Sequence, residues 1–156
     1  MVDAPEETVA FRLWPPAAVG APLVVGWAVT VLVGDPVALG GWRIPLGSAL
    51  VIFFVVWNGW ALWLFGRHRT GLLPGQPTNA IIDEGPYRVS RNPLYLGLVA
   101  LSVGVALLVP TFWGLVLTPA AVVLLEWGAI RPEERYLHRR FGAAYDDYAG
   151  RVRRWL

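Results

Sequence analysis

Two short stretches of this sequence carry side chains that can bind charged groups. The first, residues 85–97, holds Arg88 and Arg91 just ahead of Asn92 and Pro93. Proline is favoured in the first turn of a helix, so a helix should begin at Pro93, with the amide oxygen of Asn92 accepting a capping hydrogen bond. The arginines and the free amides of that turn would bind an anion such as a carboxylate or a phosphate.

The second stretch follows Pro132 and contains two adjacent carboxylates, Glu133 and Glu134. Placed opposite the two arginines and Tyr87, these carboxylates would form a bipolar pocket able to hold a zwitterion. The alternative interpretation is purely structural. Acidic side chains are favoured in the first turn of a helix by its macrodipole, and arginines often anchor a membrane helix.

The composition indicates where these stretches lie. Hydrophobic residues make up 56% of the 156 residues and charged residues only 15%, which is the balance of an integral membrane protein. The absence of cysteine excludes disulfides, thiolate metal sites and a cysteine nucleophile. The net charge of +2 is small and no nucleic-acid-binding motif is present, so we expect no nucleic-acid partner.

The apolar runs predict an all-α integral membrane protein with about four transmembrane helices and a cytoplasmic amphipathic C-terminal helix. The first run begins at Pro15 or Pro22. The predicted spans cover residues 15–33, 44–65, 94–109 and 112–130. The whole chain, residues 1–156, is expected to form one domain, with an N-terminal segment (1–14), a cytoplasmic cofactor loop (66–92) and a C-terminal helix and tail (131–156).

The third predicted span has small residues at Gly97, Ala100 and Gly104, a spacing that lets another helix approach closely. Only a short turn separates it from the fourth span, so these two helices should form an antiparallel hairpin. Arg131-Pro132 should end the fourth span. Within the long loop, Ile81-Ile82 is expected to form either a short strand or an apolar contact.

The C-terminal region has a helical pattern over residues 133–148. Its apolar face would consist of Leu137, Phe141, Ala144, Tyr145 and Tyr148. We expect one amphipathic helix that lies on the membrane or folds under the bundle. The tail, residues 151–156, brings three arginines and a tryptophan that we expect at the level of the lipid headgroups.

The arginines predict the orientation. Twelve of the 13 basic residues lie on one side of the predicted membrane, leaving Arg43 on the other. By the positive-inside rule, both termini and the long loop should be cytoplasmic. The N-terminus carries Asp3, Glu6 and Glu7 against Arg12, the reverse of a signal-peptide start, so we expect no cleaved signal.

Two motifs in these stretches resemble those of a known superfamily. They read Gly85-Pro86-Tyr87-Arg88-x-x-Arg91-Asn92-Pro93-x-Tyr95-x-Gly97 and Glu133-Glu134-x-x-Leu137-x-x-x-Phe141-Gly142-x-x-Tyr145-x-x-Tyr148. As a pair they resemble the isoprenylcysteine carboxyl methyltransferase and phospholipid methyltransferase superfamily. The resemblance extends from residue 44 to the end of the chain. It implies S-adenosylmethionine as methyl donor, a lipophilic acceptor from the bilayer, and a prokaryotic inner membrane.

The resemblance also implies roles for individual residues. Arg91 and Glu134 are expected to be catalytic. The expected cofactor-binding residues are Ile81, Ile82, Gly85, Tyr87, Arg88, Arg91, Asn92, Tyr95, Glu133 and Glu134. The carboxylate of S-adenosylmethionine suits Arg91, its ammonium and ribose suit Glu133 or Glu134, and its adenine could pack on the isoleucines.

Three further polar residues are expected to contact the acceptor: Asn58, Glu126 and Tyr145. Other roles remain open for two of them. A carboxylate at the position of Glu126 usually pairs, faces a cavity or snorkels. An asparagine at the depth of Asn58 more often bonds a neighbouring helix than a substrate. His68 and His138 have no metal-ligand partners at useful spacing, so we expect surface histidines and no metal site.

One position departs from the isoprenylcysteine enzymes, which have histidine where this chain has Asn92. Asparagine is frequent there in prokaryotic relatives. It can hydrogen-bond but cannot titrate, so a base at this position is excluded. A carboxylate acceptor would need no base, whereas an amine or thiol would.

Two other functions remain open. The chain could be an NADPH-dependent membrane reductase of the sterol reductase type, although those proteins are much longer. It could also be a catalytically silent membrane scaffold. A soluble-type Rossmann methyltransferase is excluded because no glycine-rich fingerprint follows a strand.

Overall fold

The computed structural model describes residues 12–68 and 79–156. Within these residues every regular element is helical, which confirms the predicted all-α class. In chain order the elements are α1 (Pro15–Val33), α2 (Arg43–His68), a 3₁₀ helix (Gly85–Arg88), α3 (Pro93–Leu108), α4 (Phe112–Val116), α5 (Thr118–Leu125), a π-helical turn (Glu126–Ile130), α6 (Arg131–Phe141) and α7 (Ala143–Arg151).

Three helical segments are long and apolar enough to cross a membrane. They are α1, α2 and the continuous run over residues 112–141. The fourth apolar helix, α3, has 16 residues. At the α-helical rise this is about 24 Å, less than the ~30 Å of a hydrocarbon core. The predicted membrane protein is therefore confirmed, with three full-length spans and one shorter apolar helix.

Close packing of α2 against α3 depends on small residues, as predicted. A Cβ added at Gly97 would overlap the side-chain oxygen of Asn58. A Cβ added at Gly104 would lie 3.0 Å from the carbonyl oxygen of Gly47. The amide nitrogen of Asn58 donates to the carbonyl of Leu94 at 3.2 Å, so this residue joins the two helices.

A polar cluster closes one end of the bundle. The Asp35 carboxylate accepts hydrogen bonds from the Thr30 hydroxyl at 2.7 Å and from the Phe112 amide at 3.1 Å. The hydroxyls of Thr30 and Thr111 lie 2.8 Å apart, and Thr111 also caps α4 by accepting from the Gly114 amide. We call Thr30, Asp35, Thr111 and the Phe112 amide the clasp. The other end of the bundle, which carries Arg91, α6 and α7, is called the arginine-rich end.

The prediction that Arg131-Pro132 ends the fourth span is wrong. The helix continues from α5 through the π-helical turn into α6. A proline ring clashes with the carbonyl four residues earlier, here that of Gly128, and the wider π turn gives this carbonyl room. The freed carbonyl oxygen of Gly128 accepts from the backbone amides of Arg12 at 2.9 Å and Leu13 at 3.3 Å. The proline is thus accommodated inside the helix, and the chain ahead of α1 is bound to the turn.

The C-terminal region forms two helices, which corrects the prediction of one. Gly142 separates them with a φ of 52° and a ψ of −126°, a conformation in which other residues are strained. The bend changes which side chains are covered. Tyr145 and Tyr148 are buried as predicted, but Ala144 is exposed, and Tyr136 is the most buried side chain of α6.

Two apolar clusters support the arginine-rich end. One joins α1, α3, α5 and the π turn, and contains Ala18, Val19, Tyr95, Ala121, Leu125, Ala129 and Ile130. The other packs Ile82 and Tyr87 on Ala61 and Leu64 of α2. Of the two forms predicted for Ile81-Ile82, the structure shows the apolar contact and no strand, with Ile82 buried and Ile81 half-buried.

Candidate active site

Side chains from three separate parts of the chain meet around Glu134. One carboxylate oxygen of Glu134 lies 3.4 Å from Arg91, just ahead of α3. Arg154, in the tail after α7, donates to both oxygens, at 3.0 Å from Nε and 2.8 Å from a terminal nitrogen. This two-point contact is the strong, oriented form of a guanidinium–carboxylate pair. The arrangement joins the two motifs of the sequence through one carboxylate.

Glu126, in the π turn, belongs to the same network. It accepts from Arg154 at 3.0 Å and from Arg131 at 3.2 Å. Its side chain is one-quarter exposed. Of the possibilities open from the sequence, the structure shows the paired one. Arg154 thereby bridges two carboxylates, Glu126 and Glu134.

The neighbouring carboxylate, Glu133, has a different partner. Its Oε2 accepts from the hydroxyl of Tyr95 at 2.7 Å, across the gap between α6 and α3. The ring of Tyr95 is buried in the cluster that includes Leu125 and Ile130. The two adjacent glutamates therefore point to separate surroundings, Glu133 to a phenol and Glu134 to two arginines.

The tail holds the start of α3 through its backbone. The carbonyl of Arg153 accepts from the Arg91 amide at 2.9 Å. The carbonyl of Arg154 accepts from the Asn92 side chain at 3.0 Å and the Ser90 hydroxyl at 3.2 Å. Asn92 precedes Pro93 as predicted, but the predicted capping hydrogen bond is wrong, because its side chain turns to the tail.

The tail, which was expected at the level of the lipid headgroups, also contacts the protein through its side chains. Arg154 lies within the carboxylate network, and Trp155 packs against the cluster of α1, α3 and α5. The carbonyls at the end of the chain provide acceptors that the buried polar groups ahead of α3 need. Packing and hydrogen bonding therefore draw the tail into the protein.

Tyrosines of α7 cover the site. The Tyr148 hydroxyl donates to the Tyr87 carbonyl at 2.8 Å, and its ring lies beside that of Tyr145. Burial, with a smaller contribution from the charge of Glu134, raises the pKa of the Tyr145 phenol to about 12. Burial also raises the pKa of Tyr148 and of Tyr87. These phenols are therefore neutral hydrogen-bonding groups near neutral pH.

Several residues expected at the site lie outside this network. Arg88 is exposed and donates to the Asp83 carbonyl. Gly85 and Ile82 pack on α2, where a Cβ at Gly85 would lie 2.9 Å from the Trp60 ring. Asn58 bonds Leu94 between α2 and α3. The network itself brings together Arg91, Asn92, Tyr95, Glu126, Glu133 and Glu134, with Tyr145 above them.

Three contributors were missed from the sequence: Ser90, Tyr148 as a hydrogen-bond donor, and Arg154. Ser90 is fully buried, and its hydroxyl also accepts from the Asn92 amide at 3.1 Å. A buried serine between two arginines gives no distinctive pattern. Arg154 resembled an interfacial anchor because its neighbours in the sequence are another arginine and a tryptophan.

One polar atom in this region lacks a partner. The Nε of Arg91 is buried and makes no hydrogen bond within the described residues. A buried donor without an acceptor is costly, and a bound water, ion or ligand can supply the missing acceptor. Arg91 therefore has bonding capacity beyond its contact with Glu134.

Comparison with known families places this network in context. The model of the family described as phospholipid methyltransferase matches residues 42–144, more than half of the chain. The chain belongs to the phospholipid methyltransferase family. The superfamily resemblance is thereby confirmed, and with its membrane helices the protein is a membrane methyltransferase in general terms. The matched residues include the whole first motif and the second motif from Glu133 to Gly142. Four residues of this end of the protein lie outside the match: Arg12, Tyr145, Tyr148 and Arg154.

Searches of curated proteins and of solved structures found no match. Residues 12–68 and 79–156 contain no group of three or more histidines, cysteines and carboxylates that could hold a metal ion. Each histidine instead pairs with one carboxylate: His68 with Glu84 at 2.6 Å and His138 with Asp146 at 2.8 Å. The charged network around Glu134 consists of arginines and carboxylates, with the phenol of Tyr95 bonded to Glu133.

Proposed function

We propose that this family member transfers a methyl group from S-adenosylmethionine to a lipophilic acceptor held at the membrane surface. The observation that carries the proposal is the Arg91–Glu134 contact of 3.4 Å, because it joins the two motifs within the segment that matches the methyltransferase family. A structural capping role would not require these two motifs to meet. The family implies a methyl donor such as S-adenosylmethionine.

The side chains present fit such a zwitterionic donor. Arg91 has the buried, unpartnered Nε that a carboxylate would satisfy. Glu133 and Glu134 supply acceptors for an ammonium and for ribose hydroxyls. Ile81 is half-buried beside Ile82 and offers an apolar face to an adenine ring. When bound, S-adenosylmethionine would supply an electrophilic methyl group, and the acceptor atom would gain the methyl as the sulfonium becomes a neutral thioether.

The residues of the chain would act by binding, positioning and excluding water. Arg154 holds Glu134 by two hydrogen bonds, which fixes the carboxylate for its ligand. The covering tyrosines of α7 keep water from the reacting groups, and alignment and desolvation are the main needs of an in-line displacement. We propose Arg91 and Glu134 as the residues most important for activity, and Asn58, Glu126 and Tyr145 as contacts of the acceptor.

Titration calorimetry with S-adenosylhomocysteine and with NADPH, in detergent, tests this proposal. We expect binding of the former and not of the latter. Arg91→Ala and Glu134→Ala should each weaken the binding of S-adenosylhomocysteine by about one to three orders of magnitude, because charge-assisted hydrogen bonds are lost. Arg140→Ala, an exposed position at the end of α6, is the matched control and should bind normally.

The outcomes separate the alternatives. Binding of NADPH alone would favour a reductase, and binding of neither would favour a scaffold. Unchanged affinity in both folded variants would return Arg91 and Glu134 to capping and anchoring roles.

We also propose that the arginine-rich end faces the cytoplasm, so that a zwitterionic donor enters there while a lipophilic acceptor arrives from the bilayer. Single cysteines on this cysteine-free chain test the orientation. In intact cells, Gly150→Cys should not react with a membrane-impermeant label. It should react once the membrane is permeabilised and the label reaches the cytoplasmic face. Ala38→Cys should react from outside, and the reverse pattern would contradict the orientation.

A further inference from the structure

A second feature of the arginine-rich end is a cavity of about 470 Å³. It is lined by Arg12, Trp127, Arg131, Glu134, Arg135 and Arg154. Four of these six residues are arginines that come from the chain ahead of α1, from α6 and from the tail. The cavity borders the network described above through Glu134 and Arg154, but its other walls belong to residues that the proposed methyl transfer does not use.

The charges around the cavity do not balance. Arg154 and Arg131 share the carboxylate of Glu126, and Arg154 also contacts Glu134. Arg12 and Arg135 make no ion pair with any carboxylate in the part of the chain that the structure describes. Counted over the described residues alone, four guanidinium groups against two carboxylates leave an excess of two positive charges, which suits an anionic ligand.

Arg12 and Arg135 are held in place by neutral contacts. The guanidinium of Arg12 lies over the Trp127 ring, 5.3 Å from its centroid, while its backbone amide bonds the Gly128 carbonyl. Arg135 donates from Nε to the carbonyl of Arg131 at 3.3 Å. Neither arginine uses its terminal N–H groups in a hydrogen bond to another described residue, so these groups can bind a ligand. Fixed guanidinium groups of this kind favour phosphate oxygens, which accept hydrogen bonds in pairs.

The position of the cavity indicates where its ligand comes from. Trp127 is half-exposed, and Val123, one turn earlier on the same helical face, is two-thirds exposed. An exposed apolar helix face that ends in a tryptophan is typical of the boundary between hydrocarbon and headgroups. The cavity opens beside this boundary and is larger than a phosphate ion needs, which leaves room for the ester groups of a lipid.

We propose that this cavity binds the phosphodiester of an anionic membrane lipid, with Arg12 and Arg135 as its main contacts. The lipid chains would lie along Val123 and Trp127. This inference concerns binding of the phosphodiester, and it does not depend on the proposed methyl transfer or on whether the bound lipid is the methyl acceptor.

The test uses the full chain, stripped of lipid in detergent and then given phosphatidylglycerol, phosphatidylcholine or inorganic phosphate. Thermal unfolding and native mass spectrometry report binding. The variants are Arg12→Gln, Arg135→Gln and the double variant, with Arg140→Gln as a control that removes one exposed positive charge of α6 outside the cavity. Circular dichroism checks that each variant is folded.

We expect phosphatidylglycerol to stabilise the parent chain and Arg140→Gln, and phosphatidylcholine to do so much less. Each cavity variant should bind phosphatidylglycerol about tenfold more weakly. Equal losses in the control and the cavity variants would overturn the proposal, since they would indicate general surface attraction. Equal stabilisation by inorganic phosphate would overturn the lipid as source.

The affinity of the double variant for S-adenosylhomocysteine distinguishes a failure of the lipid-site proposal from a failure of the proposed methyl transfer. The double variant should still bind S-adenosylhomocysteine, because within the described residues neither arginine forms a hydrogen bond or ion pair with Arg91, Glu133 or Glu134. Loss of lipid binding with that affinity unchanged supports the lipid site by itself. Retained lipid binding in the double variant contradicts it, whatever the result with S-adenosylhomocysteine.

Discussion

The clasp and the arginine-rich end both join distant parts of the chain through carboxylates. In the clasp, Asp35 accepts from a hydroxyl and a backbone amide, and the two threonine hydroxyls bond each other. At the arginine-rich end, Glu126 and Glu134 share Arg154, and the Nε of Arg91 has no hydrogen-bond partner among the described residues. Glu134 and Arg154 also line an open cavity. A polar cluster that uses its own donors fully serves to connect helices. One that keeps excess charge and an unused donor is suited to a ligand.

Replacing Arg154 is the most direct test of whether the arginine-rich end binds a ligand, and we expect it to have the largest effect. Arg154→Gln takes away the charge that holds Glu126 and Glu134, so we expect affinity for S-adenosylhomocysteine to fall by about 10- to 100-fold. Arg154→Lys keeps the charge without the two-point contact and should restore only part of the affinity. Calorimetry on folded protein measures both.

Backbone carbonyls of the tail remain in either variant, so a general loss of structure is not expected. If Arg154→Gln bound as tightly as the parent chain, Arg154 would serve only to anchor the tail. If the lysine variant behaved like the glutamine variant, charge alone would not account for its role.

The matching change at the other end is Asp35→Asn. It preserves the shape of the side chain but removes the charge that strengthens the bonds from Thr30 and Phe112. We expect a loss of about 1–2 kcal/mol in the free energy of unfolding with unchanged affinity for S-adenosylhomocysteine. Denaturant unfolding in mixed micelles and calorimetry provide the two values. A large fall in affinity with stability intact would show that the two ends are coupled.

A smaller effect is expected from Tyr145, whose phenol should make the free energy of unfolding depend on pH. A phenol loses its proton near pH 10 in an unfolded chain, whereas the pKa of Tyr145 in the folded protein is raised to about 12. Over this interval the unfolded chain binds fewer protons than the folded one, so the free energy of unfolding should fall as pH rises. The contribution of the neutral Tyr145 phenol to stability is fully present below pH 10 and is lost as the pH rises to about 12.

Thermal unfolding between pH 9 and pH 12 should therefore show a smaller fall for Tyr145→Phe than for the parent chain. The phenylalanine variant retains the ring and its packing, which makes it a matched comparison. An identical fall in both proteins would mean that this phenol is as accessible in the folded protein as in the unfolded chain.

The sequence predicted those parts of the fold that depend on local patterns. The first two spans, the start of α3 at Pro93, and the close contact at Gly97 follow from apolar run length, proline preference and residue size. Opposed arginines and carboxylates also identified the network around Arg91 and Glu134. These features depend on residues close together in sequence or on charges of opposite sign.

The sequence did not predict features decided by distant partners. Pro132 reads as a helix end, but the π turn and the amides of Arg12 and Leu13 satisfy the carbonyl that it displaces. Arg154 reads as an interfacial anchor, yet two carboxylates and two buried polar groups ahead of α3 draw it inward. In both cases the structure depends on hydrogen bonds between residues that are far apart in the sequence. A pattern within a short stretch of sequence cannot reveal such bonds.

The shared pairing of Glu126 has a consequence for the order of events during synthesis. Its partner Arg154 is 28 residues further along the chain, which at ~5–20 residues per second is made a few seconds later. Arg131, only five residues away, is available almost at once. The glutamate can therefore enter the membrane boundary already neutralised by its near neighbour. The arginine-rich end is completed afterwards, when the segment that follows α7 supplies the second arginine.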